Sequence, residues 1–139
     1  MFTDGMRLDP DNTKCRLALK LAKDAERFKE EGNDAIKIHN YDLAIELYTK
    51  SLTVDEYNKK LLAIVYSNRS TAYSKKGDLN SALKDCNKSI ELDPTYWKGL
   101  LKRADIYMKK GEFDLAIGDY NKIKEIDPHQ NMSSYIKEA

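Results

Sequence analysis

Two stretches of the sequence nearly repeat each other: residues 73–94 read YSKKGDLNSALKDCNKSIELDP, and residues 107–128 read YMKKGEFDLAIGDYNKIKEIDP. They lie 34 residues apart and share a Lys-Lys-Gly turn followed by an acid, a central alanine and a closing Asp-Pro. A third copy lies upstream, where Ala44 and Tyr48 repeat the spacing at a slightly longer offset, because residues 57–60 lengthen the loop. Self-similarity with such a period indicates a repeat architecture.

Each unit has the pattern of two helices. In the third unit, five apolar residues share one face of a helix by their spacing: Trp97, Leu100, Leu101, Ala104 and Tyr107. Gly111 predicts the end of this helix, because glycine readily takes the left-handed cap conformation. Pro128 predicts the end of the next helix, because proline cannot continue a helix interior. A small residue such as Ala116 on the second helix lets the two helices approach closely.

A 34-residue unit of two helices resembles the tetratricopeptide repeat. The resemblance implies an all-α fold, a superhelix of antiparallel helix pairs. It places three repeats at about residues 25–58, 63–96 and 97–130, which is the usual minimum for a stacked core. A capping helix at the end of the stack is expected from about residue 132.

The residues ahead of the first repeat suggest that the chain comes from a longer array. A Leu-Asp-Pro sequence ends at Pro10, and another closes the second unit. We therefore interpret residues 1–10 as the tail of a preceding repeat or a fragment end, and residues 11–139 as the repeat domain. The first helix of this domain is expected to be extended, with Asp11 as its N-cap.

The composition is typical of a folded domain with a charged, solvent-exposed surface: 41% of the 139 residues are hydrophobic and 34% are charged. The formal net charge of +1 argues against a nucleic-acid binder, whose domain is usually strongly basic. No signal peptide is visible, and the longest apolar run, residues 61–66, is too short to span a membrane. Cys15 and Cys86 are too far apart for a metal knuckle or a disulfide framework, which favours reduced thiols in a cytosolic or nuclear protein.

The first helices of stacked repeats line a concave groove, where a ligand would bind. Five polar residues on these helices are candidates for ligand contact: Lys29, Asn33, Asn68, Lys98 and Lys102. We expect stacking to bring them to one stretch of the groove. Their three ammonium groups suit a carboxylate, and their two amides can both donate and accept hydrogen bonds.

These five positions resemble the two-carboxylate clamp of co-chaperone tetratricopeptide domains. That family has Arg where this chain has Lys102, and Arg103 should point elsewhere; Lys keeps the charge but cannot make the planar two-pronged contact of Arg. The resemblance implies a ligand, the C-terminal Glu-Glu-Val-Asp of cytosolic heat-shock chaperones of the Hsp70 and Hsp90 classes. In the family's geometry four further residues would shape the pocket for its Val: Ile36, Thr71, Ser74 and Leu101.

Among clamp domains, the chain is most similar to the second array of tandem-repeat DnaJ (Hsp40-type) co-chaperones, through residues 40–49 and 106–108. The adaptor that bridges the two chaperone classes is the second most similar member of the family. No His-Pro-Asp triplet is present, so this chain itself is not expected to stimulate a chaperone ATPase.

The sequence thus predicts a monomeric binding module of the cytoplasm or nucleus that docks chaperone tails, with no cofactor, metal, nucleic acid or membrane. One alternative is a scaffold whose groove holds an internal or helical segment without a free carboxylate, which the Lys102 departure keeps open. An enzyme is disfavoured, since His39 and His129 are in no metal-spaced cluster and no Gly-rich phosphate loop occurs. An RNA-binding repeat protein would need a basic, base-reading groove.

Overall fold

The computed structural model describes residues 10–54 and 58–126 of the chain. Within these ranges there are six α-helices and no β-strand, as predicted for an all-α fold. In chain order they are α1 (Pro10–Lys37), α2 (Tyr41–Val54), α3 (Lys59–Lys76), α4 (Leu79–Leu92), α5 (Trp97–Lys110) and α6 (Phe113–Ile126). The expected capping helix from about residue 132, and all but the last residue of the expected repeat tail at 1–10, lie outside the described residues.

Successive helices pack in pairs, α1 with α2, α3 with α4 and α5 with α6, and each pair packs on the next. Contacts also run directly from α1 to α3 and from α3 to α5. The first helices of the three pairs therefore adjoin one another, with α3 in the middle. This arrangement gathers the side chains of α1, α3 and α5 around a shared surface.

The turns within the pairs use the left-handed backbone conformation. Gly77 caps α3 with a φ of 91° and Gly111 caps α5 with a φ of 80°, and the N–H of each donates to a carbonyl of the last turn. Glycine tolerates a positive φ because it has no Cβ. In the corresponding turn after α1, His39 has a φ of 62°. The first pair therefore makes a similar turn with a strained, non-glycine residue.

Small residues and serine hydroxyls hold the helices of a pair close together. Alanine is completely buried at the repeated position in each second helix: Ala44, Ala82 and Ala116. The Ser51 hydroxyl donates to the Ala25 carbonyl at 2.7 Å, which joins α2 to α1. Ser89 makes the equivalent bond to the Ala63 carbonyl at 2.7 Å, which joins α4 to α3. The first two pairs are thus fixed in the same way.

Two arginines join helices through equivalent, largely buried ion pairs. Arg69 on α3 makes a two-pronged contact with Asp85 on α4, with N–O distances of 2.7 and 2.9 Å. Arg103 on α5 makes the same contact with Asp119 on α6, at 2.8 and 2.7 Å. The remaining nitrogen of each guanidinium donates to a polar side chain on the second helix of the preceding pair. Each arginine therefore ties its own pair to the pair before it.

The start of α1 differs from the sequence prediction. Pro10 and Asp11 are both helical, so the prediction that Asp11 is the N-cap is wrong. Proline fits a first helical turn because its fixed φ suits the helix and its missing N–H is not needed there. The expected extension of this helix is confirmed, since α1 is 28 residues long. Neither α1 nor any other helix in the described ranges is long and apolar enough to cross a membrane.

Candidate functional site

The first helices of the three pairs border a groove of about 530 Å³, and all five predicted ligand-contact residues line it. The members are Lys29 and Asn33 from α1, Asn68 from α3, and Lys98 and Lys102 from α5. Because α3 adjoins both α1 and α5, the amide of Asn68 lies between helices that carry ammonium groups. The groove therefore combines positive charge on two helices with neutral donors and acceptors.

Lys29 is largely enclosed, with 16% of its side chain exposed. Its ammonium group lies 3.1 Å from a carboxylate oxygen of Glu26, one turn earlier on α1. The Glu26 side chain is itself half exposed, so water and salt weaken the attraction between the two groups. A ligand carboxylate at Lys29 would therefore compete with Glu26.

The two amides of the groove are held by a hydrogen-bond network. The side-chain oxygen of Asn33 accepts from Nδ2 of Asn68 at 3.1 Å and from the hydroxyl of Tyr48. Tyr48 lies on α2 and is buried, and this burial raises the pKa of its hydroxyl. The hydroxyl therefore stays protonated at any physiological pH. The network joins three helices at the floor of the groove.

Lys98 and Lys102 lie one turn apart on α5 and so face the same way. The ammonium group of Lys98 is 5.9 Å from the centre of the Trp97 ring, within the range of a cation–π contact. Arg103 is bound by Asp119, and this hydrogen bonding raises the pKa of Arg103. Arg103 points away from the groove, as predicted, and does not replace the arginine that the family has at the position of Lys102.

A second cavity of about 450 Å³ adjoins the groove, and Thr71 and Lys102 line both. Of the other residues expected to shape the pocket, Ile36 lines the groove and Ser74 lines the second cavity. Leu101 instead packs against the apolar cluster around Leu100 and Ala104. The structure thus brings three of the four predicted pocket residues to the groove or its neighbour.

Four further residues that line the groove were not singled out as ligand contacts by sequence: Lys37, Tyr48, Ile64 and Tyr96. Lys37 and Ile64 are each four positions from a groove asparagine, so helical spacing alone would have found them. Tyr48 belongs to the repeat pattern of the second helices, which by itself indicates packing and not ligand contact. Tyr96 lies in the loop before α5, where no periodicity applies.

The cysteines lie outside these cavities in different surroundings. Cys15 is exposed on α1, whereas Cys86 is buried on α4 with its sulfur 3.2 Å from the Ser70 hydroxyl. Burial raises the pKa of the Cys86 thiol to about 12. Cys86 is therefore a protonated packing residue near neutral pH. In the described ranges, no group of three or more His, Cys, Asp or Glu residues could hold a metal ion.

Comparisons with known proteins identify the repeats. A family model described as tetratricopeptide repeat matches residues 63–96, and another of the same description matches residues 98–130. Residues 63–96 and 98–130 are tetratricopeptide repeats. The domain is 42% identical over 103 residues to DnaJ homolog subfamily C member 7 of Homo sapiens, an alignment that covers 74% of this chain and 21% of that protein. The chain thus spans about a fifth of the length of this relative.

Further relatives and solved structures share the fold. The domain is 35% identical over 82 residues to the Hsp70-Hsp90 organizing protein of Triticum aestivum, covering 59% of this chain and 13% of that protein. The first tetratricopeptide domain of Spaghetti (RPAP3), solved with the HSP90 peptide SRMEEVD, is 28% identical with a TM-score of 0.77, covering 84% of this chain and 93% of that chain. The second domain of human RPAP3 was solved with the HSP70 peptide SGPTIEEVD. It is 26% identical with a TM-score of 0.72, covering 87% of this chain and 96% of that chain. These likenesses confirm the predicted superhelix of antiparallel helix pairs and the resemblance to DnaJ-type co-chaperones.

Proposed function

We propose that this tetratricopeptide domain is a co-chaperone module that binds the C-terminal Glu-Glu-Val-Asp tails of cytosolic heat-shock chaperones of the Hsp90 and Hsp70 classes. The observation that carries the proposal is the convergence of three lysines and two asparagines on one groove: Lys29, Asn33, Asn68, Lys98 and Lys102. Two domains of similar fold were solved with peptides that end in this sequence. Relatives among DnaJ and Hsp70-Hsp90 organizing proteins add support.

The chemistry of a C-terminal aspartate fits the placement of the charges. This residue carries two carboxylates, one on the main chain and one on the side chain. Lys29 on α1 and the lysines on α5 can attract both at once, because they flank α3. The amides can donate to either carboxylate and can accept from a peptide N–H. A chain end would therefore bind better than an internal segment.

The expected affinity is modest. A hydrogen bond to a charged group contributes roughly 1.5–3 kcal/mol net. Three or four such bonds, less the cost of ordering a flexible tail, leave about 7–8 kcal/mol, which corresponds to a dissociation constant in the micromolar range. A contact of this strength forms and dissociates reversibly.

Titration with a labelled peptide ending in Glu-Glu-Val-Asp tests the proposal, run in parallel with the same peptide amidated at its C-terminus. We expect micromolar binding of the free acid and a large loss with the amide, because the amide lacks one of the two carboxylates. Equal binding of both peptides, or binding of neither, would reject the clamp.

Alanine variants locate the binding to the groove. Lys29→Ala and Lys98→Ala should each abolish detectable binding of the free acid, because each removes one ammonium group from the clamp. Lys88→Ala is the matched control, since Lys88 lies exposed on α4, away from the groove. Melting followed by circular dichroism should show that Lys98→Ala keeps the stability of the parent chain. Retained binding in both groove variants contradicts the assignment.

A second candidate function is a scaffold that holds an internal or helical segment of another protein. Two observations favour it: Glu26 already pairs with Lys29, and Lys102 lacks the two-pronged geometry of arginine. Such a groove would bind its partner regardless of a free carboxylate. The comparison of acid with amide therefore separates the two functions.

The proposal extends to the setting of the domain. We propose a binding module without catalytic activity of its own, working in the cytoplasm or nucleus as a monomer. Its three repeats would span residues 25–58, 63–96 and 97–130 of a domain at 11–139.

A further inference from the structure

Tyr48 reaches the groove from α2, whereas the predicted clamp residues lie on first helices. The residue is 1% exposed, so the aromatic ring is packed in the interior, and Tyr48 contacts the groove residue Asn33 through its hydroxyl. The hydroxyl donates to Oδ1 of Asn33. The same oxygen accepts from Nδ2 of Asn68 at 3.1 Å. Both lone pairs of the Asn33 oxygen are therefore engaged by protein donors.

The double contact gives the Asn33 amide a direction. An asparagine can present either its oxygen or its nitrogen to a ligand, and only the nitrogen can donate to a carboxylate. If the oxygen and nitrogen of the Asn33 amide exchanged places, its nitrogen would face Nδ2 of Asn68, which cannot accept. Among the described residues, no hydrogen bond from Nδ2 of Asn33 to a protein group is found. The donor side of the amide is thus left for a ligand.

We propose that Tyr48 is a positioning residue: by holding Oδ1 of Asn33, it keeps Nδ2 of Asn33 turned into the groove as a hydrogen-bond donor to a ligand carboxylate. The inference rests on the proposed function and adds the means by which the groove prefers a carboxylate. Because burial raises the pKa of Tyr48, its hydroxyl does not ionise and its proton remains available.

The close approach of the Tyr48 ring to α1 is possible because the residue before Asn33 is a glycine, Gly32. A Cβ built at Gly32 would lie 2.6 Å from Cε1 and 2.8 Å from Cδ1 of the Tyr48 ring. Carbon atoms do not approach so closely, so any side chain here would displace the ring from α1. Glycine is otherwise unfavourable inside a helix. Its place within α1 is explained by the close approach of Tyr48.

The test uses the labelled free-acid peptide and four variants of the chain: Tyr48→Phe, Asn33→Ala, the double variant, and Tyr107→Phe as the matched control outside the groove. Tyr48→Phe keeps the ring and removes the hydroxyl. We expect it to raise the dissociation constant about fivefold, the size of one neutral hydrogen bond. In the Asn33→Ala background, Tyr48→Phe should change affinity no further, because Tyr48 acts through Asn33. Tyr107→Phe should bind like the parent chain.

A purely structural role for Tyr48 gives a different result. It would lower the melting temperature while leaving the affinity of the folded chain unchanged, and that result overturns the proposal. The proposal is also overturned if Tyr48→Phe lowers the affinity by the same factor in the parent chain and in the Asn33→Ala variant. If Tyr48→Phe does not fold, Gly32→Ala replaces it, with the same expected loss of affinity and the same dependence on Asn33. Failure of the parent chain to bind the peptide rejects the proposed function and this inference together, whereas parent binding with no effect of Tyr48→Phe rejects the inference alone.

Discussion

Glu26 holds the ammonium group that the proposed ligand would need at Lys29. The two groups are 3.1 Å apart on the same face of α1, and Lys29 is the more enclosed partner. When a ligand carboxylate arrives, it must displace Glu26 or share the lysine with it. The pair keeps the charge of Lys29 compensated in the empty groove and lowers the affinity for the ligand. Glu26 therefore sets the strength of one clamp contact without belonging to the clamp.

Glu26→Gln should tighten binding of the free-acid peptide about two- to fourfold, because the exposure of Glu26 limits the strength of this ion pair to about 1 kcal/mol. Fluorescence polarisation with the labelled peptide measures the change. Glu30→Gln is the matched control, since it makes the same charge change one residue after Lys29, on another face of the helix. Equal effects of both variants would show that only net charge matters.

Lys102 offers a point charge where a guanidinium could offer two parallel hydrogen bonds. It lines both the groove and the adjoining cavity, so a longer side chain has space to reach a ligand. Lys102→Arg should therefore strengthen free-acid binding several-fold, measured by calorimetric titration, with Lys88→Arg as control. Unchanged affinity would mean that the ligand makes no contact at residue 102.

The sequence was sufficient to find the charged and amide residues of the groove, because a helix fixes which side chains share a face. Lys29 and Asn33 follow from spacing and type alone. The partners that adjust them do not, since Tyr48 meets Asn33 only after α2 has folded back on α1. Leu101 was expected at the pocket and packs against the apolar cluster around Leu100 and Ala104, because apolar residues near a groove also serve the core.

The turn after α1 contains a non-glycine residue in a backbone conformation that favours glycine. His39 has a φ of 62°, where α3 and α5 are capped by glycine. A side chain in this conformation costs roughly 1–2 kcal/mol. His39 recovers part of that cost through a 2.8 Å hydrogen bond between its Nδ1 and the Tyr41 hydroxyl, at an exposed site.

His39→Gly should therefore raise the free energy of unfolding by about 0.5–1 kcal/mol, after the lost hydrogen bond and the flexibility of glycine are counted. Urea denaturation followed by circular dichroism measures the difference. Gly77→His makes the reverse change in the second pair and should destabilise the chain. A lower stability of His39→Gly would show that the contact with Tyr41 outweighs the backbone strain.

The orientation of α5 decides whether its lysines can serve the groove. Arg103 anchors one side of this helix to α6 through Asp119 and to α4 through Asn87. Lys102 precedes Arg103 by one position and so lies about 100° away around the helix axis. The ion pair on one face thereby aims Lys102 at the groove on the other. A stabilising contact between repeats and a ligand-binding position are thus adjacent in sequence.

The stack of helix pairs could be predicted from the sequence, because the spacing between similar segments gives the length of the repeated unit. The offset of 34 residues, the closing Asp-Pro and the turn glycines each give the same division of the chain. The start of α1 could not be predicted in the same way, since it lies ahead of the repeats and has no second copy for comparison. The Leu-Asp-Pro sequence ending at Pro10 indicates a repeat ending, but proline is equally suited to a first helical turn.

The molecule as a whole is nearly neutral, yet the groove where the ligand would bind has a local excess of positive charge. The formal net charge is +1, while four lysines line the groove: Lys29, Lys37, Lys98 and Lys102. Attraction of an acidic tail therefore depends on the placement of charge, and it acts over a short range in salt.

Raising the sodium chloride concentration from 0.1 M to 1 M shortens the screening length from about 10 Å to about 3 Å. Affinity for the free-acid peptide should fall roughly tenfold over this range, because Lys37 and Lys98 of the groove are exposed and salt screens their charges. Helicity at each salt concentration, measured by circular dichroism, should stay constant and is the control. A salt-independent dissociation constant would mean that apolar contacts carry the binding. That result would favour the scaffold that holds a helical segment, since such a partner needs no carboxylate.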